Sequence, residues 1–266
     1  TKMSRKYTPM LSKRRKFVIT SLALSLGFLS INFLDNQYRM WYIGGLTLLT
    51  VLFFVWSLIE GLAFDATLLT LILPAYFTLG VGLFWFLLPA VVFARIPIVA
   101  LYGIGIYALC STANIYTVSA IRAIALVRAA KGVGFVLTLL TIFLIFDAIL
   151  SLRSPVYVTV PLLVAASFPL YLQGLWAVNL EKKLNPNILI YAAFFSLAMG
   201  EIGLLLYFWP VTVVVGSIFL TIGMYMLLGL GQASLEARLF RATIRDYLTI
   251  GIVVFLAMLF APKWGG

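Results

Sequence analysis

Nine stretches of this sequence, each 15 to 26 residues long, are continuously apolar, and that feature leaves few choices of fold. Inside a bilayer every backbone N–H and C=O must find a partner within the protein, so only α-helices and closed barrels can cross it. Barrel strands would alternate apolar and polar residues at period two, and these runs do not. A crossing helix needs about 20 mostly apolar residues. The runs are Phe17–Leu34, Met40–Ile59, Ala66–Leu88, Ile96–Thr117, Gly132–Leu152, Pro155–Leu180, Ile188–Trp209, Val211–Leu230 and Tyr247–Ala261. The last is the shortest, and Trp209-Pro210 marks the break between the seventh and eighth. The expected fold is therefore all-α: a polytopic membrane bundle of about nine helices with minimal loops.

Only 10% of the 266 residues are charged, against about 25% in a soluble domain. A basic cytoplasmic tail (residues 1–16) precedes the transmembrane bundle (17–261), and residues 262–266 form a short tail on the outer side. The first run follows Lys13-Arg14-Arg15-Lys16. It is longer than a signal-peptide core and no small-residue cleavage site follows, so it reads as a retained helix. The chain opens Thr1-Lys2-Met3, so its natural start is expected at Met3 or upstream.

With the N-terminus inside, Arg39, Arg95, Arg153 and Lys263 fall outside, and the other 15 of the 19 Lys and Arg residues fall inside. That bias follows the positive-inside rule at every inner loop except Glu60–Asp65 and leaves the C-terminus outside, in a plasma membrane. The net charge of +11 is thus read as contact with anionic lipid at the cytoplasmic face, not with nucleic acid. Arg238, Arg241 and Arg245 in the inner segment Gln232–Tyr247 fall at i, i+3 and i+7. As a surface helix they would form one stripe against lipid headgroups.

The chain contains no histidine, and its one cysteine, Cys110, lies in an apolar run. Ser–His and Cys–His nucleophile pairs, His-ligated metals and intrachain disulfides are excluded. No phosphate-binding loop or dinucleotide fingerprint is present, and no cofactor or metal is expected.

Four segments are echoed later in the same order. Trp56 precedes Glu60 as Trp176 precedes Glu181, and Glu60 to Pro89 spans 29 residues, as does Glu181 to Pro210. Ile104-Gly105-Ile106-Tyr107 resembles Ile222-Gly223-Met224-Tyr225, and Arg128-Ala129 resembles Arg241-Ala242. The pattern points to a parallel four-helix internal repeat, spans two to five against six to nine, related by an axis near the membrane normal.

Only two acids fall within apolar runs, Asp147 and Glu201. They lie roughly 22 Å and 20 Å from the inner ends of their spans at 1.5 Å per residue. An intramembrane carboxyl is a protonatable functional candidate, and Glu201 is expected to face the bundle interior beside polar groups. Asp147 has a nearby counter-ion candidate in Arg153. The outer arginines Arg39, Arg95 and Arg153 could clamp an anion or snorkel to lipid phosphate. Ser111, Thr112, Asn114 and Gln173 are expected to join helices by hydrogen bonds.

The favoured function is a carrier or binding protein for a small amphiphile, lipid or ion-coupled solute. A non-catalytic subunit or scaffold of a larger membrane complex, with membrane-protein partners, stays open. So does a small enzyme acting on a lipid-linked phosphate at the outer face, with Asp35, Asp147 or Glu201 as base. The very short outer loops speak against that last reading.

Overall fold

The computed structural model describes residues 12–58, 64–88, 92–119, 126–181 and 185–260. Among them are nine helices long and apolar enough to cross a membrane. They are α1 (Lys13–Leu29, prolonged by a 3-10 turn Ser30–Phe33), α2 (Asn36–Leu58), α3 (Phe64–Trp85), α4 (Val92–Ser119) and α5 (Val127–Ser151), then α6 (Val156–Asn179), α7 (Pro186–Tyr207), α8 (Val213–Leu235) and α9 (Arg241–Phe260). The chain is a multi-pass membrane protein with an all-helical bundle.

Helix α5 lies at the centre, packed on α3, α4, α6 and α8, while α1 closes one side against α2 and α4. A continuous apolar core runs through these contacts, with Phe28, Phe54, Ile106, Phe146, Leu163 and Leu170 fully buried. Prolines interrupt the backbone ladder inside α3 (Pro74), α4 (Pro97) and α6 (Pro161 and Pro169).

One segment departs from expectation. Gln232–Tyr247 is not a single surface helix: α8 continues to Leu235, the chain turns, and α9 begins at Arg241. Ala237 has a φ of 54°, Arg238 N donates to Ala233 O at 2.8 Å and Ala237 N to Ser234 O at 3.1 Å. This is a Schellman stop, in which a left-handed residue turns two N–H groups back onto the last helical carbonyls. Arg238 thus sits in a turn while Arg241 and Arg245 ride on α9, so the expected stripe is broken, although all three are exposed.

The two halves share local packing. A side chain placed on Gly82 of α3 would collide with Ile43 of α2, and one on Gly203 of α7 with Leu163 of α6. Both partners are fully buried. Gly105 of α4 meets Phe77 of α3, as Gly223 of α8 meets Met199 and Ile202 of α7. The α4–α5 contact has a counterpart in α8–α9, but α3–α5 has no comparable counterpart in α7–α9. The expected pairings of Glu60 with Glu181 and Pro89 with Pro210 involve residues 60 and 89, which lie outside the described residues.

Candidate functional site

Where α4, α6 and α8 end and α5 and α9 begin, the helices splay around a chamber of about 710 Å³. Its cationic lining is Arg128 and Lys131 from the first turns of α5 and Arg238 from the α8–α9 turn, with Glu236 the one acid. Lys131 Nζ donates to Val178 O at 2.6 Å, capping a carbonyl near the α6 C-terminus, where a cation complements the helix dipole. The same ammonium lies 3.5 Å from Glu236 Oε1, and Arg238 Nη1 lies 3.6 Å from Glu236 Oε2. Glu236 is thus shared by two cations, and Arg128, exposed, has no acidic partner among the described residues. The chamber carries an excess of positive charge.

Deeper in, the wall turns to neutral polar groups. Gln232 Nε2 donates to Gly174 O at 2.9 Å, and Tyr116 OH to Ala130 O at 3.2 Å. Gln173 is only 2% exposed and its Oε1 has no hydrogen-bond partner among the described residues. The expectation that Gln173 joins helices by a hydrogen bond is not met at that oxygen. A buried, unsatisfied polar atom beside a cavity normally signals a missing partner. Ser111 Oγ likewise bonds its own helix, at Tyr107 O, 3.0 Å away.

Residues 60–261 match the family model DUF5656, described as a protein of unknown function. The chain belongs to the DUF5656 family. No curated protein and no solved structure matches it. The DUF5656 region holds every residue of the chamber, whereas α1 and α2 precede it.

The two intramembrane acids of the DUF5656 region behave differently. Asp147 on α5 is buried at 5% exposure and accepts a hydrogen bond from Ser217 Oγ of α8 at 3.0 Å. No ion pair joins it to Arg153 among the described residues; Arg153 is exposed in the turn after α5, with a φ of 47°. Glu201 contradicts the expectation made for it. It is exposed on the outside of α7, because α7 turns its small residues Ala192, Ser196, Gly200 and Gly203 inward and Glu201 falls on the other side. Glu201 therefore does not face the interior of the bundle.

The three arginines expected on the outer side do not converge as a trio. Arg39 Nε donates to Leu34 O at 2.9 Å, and Arg95 Nη1 to Asn32 Oδ1 at 2.6 Å, so both fasten the turn after α1. Arg95 also lies over the Trp85 ring, 5.0 Å from its centroid, a cation–π contact. Arg153 belongs to a different turn, between α5 and α6.

The chamber is not legible in the sequence, where Arg128, Lys131 and Arg238 look like ordinary loop charges. The one signal was Gln173, an amide deep in an apolar run.

Proposed function

We propose that the protein binds an anionic amphiphile in the chamber, as a carrier or binding protein, with the charged headgroup between Arg128, Lys131 and Arg238. The observation that carries this reading is the combination of excess positive charge at the mouth with the unsatisfied Gln173 carboxamide within. Guanidinium and ammonium donors suit phosphate or carboxylate, and a headgroup hydroxyl would satisfy the amide. The charge bias of the loops supports a chamber opening toward the cytoplasm, where anionic lipid is abundant. The reading as an enzyme at the outer face has less support, since Arg39 and Arg95 are engaged in fastening a turn.

The test is binding in nanodiscs of phosphatidylcholine into which phosphatidylglycerol is titrated, read as the rise in the thermal unfolding midpoint. Anionic lipid should stabilise the protein, and Arg128→Gln should weaken the effect by about 1 kcal/mol, the worth of one basic residue near a charged surface. Arg15→Gln, which removes the same charge away from the chamber, should leave most of it. Equal loss in both variants, or no response to phosphatidylglycerol, would overturn the reading.

A further inference from the structure

The contact by which α6 packs on the first half of the molecule has an unused duplicate of each partner on the bundle surface. Within the chain, Leu172 and Trp176 of α6 pack in one cluster with Leu69 of α3. Trp176 is fully buried, and Leu69 and Leu73 on the receiving face of α3 are 6% and 2% exposed.

The shared glycine contacts set the register between the halves, aligning Ile43 with Leu163 and Gly82 with Gly203. Leu52 and Trp56 stand 9 and 13 residues after Ile43, as Leu172 and Trp176 stand after Leu163. Ile190 and Phe194 stand 13 and 9 residues before Gly203, as Leu69 and Leu73 stand before Gly82. The docking pair used once inside the chain is therefore present a second time. This time both partners are largely open, although Lys16 Nζ lies over the Trp56 ring, 5.7 Å from its centroid: Leu52 is 64% exposed, Trp56 39%, Ile190 50% and Phe194 65%.

Two further features mark these faces. On α2, Leu49, Leu52, Phe53 and Trp56 form one apolar face open on the bundle surface. On α7, Glu201 lies on the Phe194 face, seven residues further along. Its counterpart by the same register is Gly80, packed against Thr141 and Ile145 of α5. A carboxyl turned to lipid is costly, and cover over this face relieves that cost.

We propose that a second copy of this chain provides the cover: the α2 face at Leu52 and Trp56 of one copy docks on the α7 face at Ile190 and Phe194 of another. This repeats between chains the α6–α3 contact made within one. The inference is independent of the chamber. Because the two halves run in the same direction, both copies keep one orientation in the bilayer. A two-fold axis along the membrane normal forms the contact twice and closes the pair. The driving force is side-chain packing, as for other helix pairs in lipid.

Cysteine cross-linking in native membranes tests the pairing. Cys110 is fully buried, so the natural chain supplies little background. Differently tagged Trp56→Cys and Ile190→Cys chains are co-expressed and oxidised. A mixed-tag dimer should form in that combination, with at most traces when either variant is expressed alone. Self-cross-linking through Ile190→Cys or through Trp56→Cys at equal yield would mean a different dimer and overturn the proposal, as would the absence of a mixed product. Photobleaching of singly labelled wild-type protein in supported bilayers is the second readout. Two-step traces should predominate, and Leu52→Ala with Phe194→Ala should lower their share several-fold. Single-step traces for the wild type would overturn it.

Discussion

Helices α5 and α9 each follow a helix that carries an Ile-Gly-x-Tyr segment, and each begins near an Arg-Ala pair, yet they are used differently. Helix α5 is clasped by α3, α4, α6 and α8, and half of its apolar window is buried; α9 rests mainly on α8, with one ring contact from Phe255 to Trp209, and 6% of its window is buried. The pairwise contacts at Gly82 and Gly203 are alike, so the difference does not arise from the local packing code. It arises from what lies beyond each helix: α6 covers the first half on the α3 side, and nothing within the described chain does the same for the second. Like local sequence therefore yields a core helix in one half and a peripheral helix in the other.

The largest effect is expected where the halves agree. Gly82→Leu and Gly203→Leu force a side chain into Ile43 and Leu163, and overpacking of this kind costs about 1–3 kcal/mol. Both variants should lose thermal stability in detergent by similar amounts, and Ile43→Ala or Leu163→Ala should restore part of each loss. If only one glycine is sensitive, the correspondence between the halves breaks.

A smaller effect separates the two acids. Ser217→Ala removes the donor to buried Asp147 and should cost about 0.6 kcal/mol, the average for hydrogen bonds between membrane helices, and at most about 1.7 kcal/mol. Glu201→Gln, on an exposed face, should stay within about 0.5 kcal/mol. Comparable losses in the two unfolding midpoints would show that exposure does not distinguish these sites.

The smallest effect is a gain. Ala237 holds a left-handed conformation, which costs an L-residue roughly 1 kcal/mol and a glycine little. Ala237→Gly should raise the unfolding midpoint, sharpening the contrast between the α8–α9 turn and the rest of its half. A fall would show that the alanine methyl group makes a contact worth more than the strain.

What was legible in the sequence follows from what hydropathy can encode. All nine runs became helices because a long apolar run has no other way to satisfy its backbone in lipid. The end of α8 was misplaced because Gln232 and Ser234 look like a helix end, whereas the actual stop depends on an alanine in a conformation normally taken by glycine. Depth along a helix can be read from sequence position, but azimuth needs neighbours, and so the expected side of Glu201 differs from the observed one. A signal was present: Ala192, Ser196, Gly200 and Gly203 form a small-residue face of the kind that marks helix contacts, and Glu201 is turned away from it. The chamber was illegible because its cations are distributed over two separate connections that only the fold brings together.

The paired prolines of α6 have a mechanical consequence. Pro161 and Pro169 lack the N–H that would bond the carbonyls of Tyr157 and Ala165, so the helix has two compliant joints instead of uniform stiffness. Leu163, which seats Gly203, lies between the joints, while Gln173, Gly174, Ala177 and Val178 of the chamber wall lie beyond the second. Bending at Pro169 lets that wall tilt while the Leu163 seat stays fixed, so the chamber can widen or narrow as a lever moves about a pivot, with the rest of the bundle as its frame.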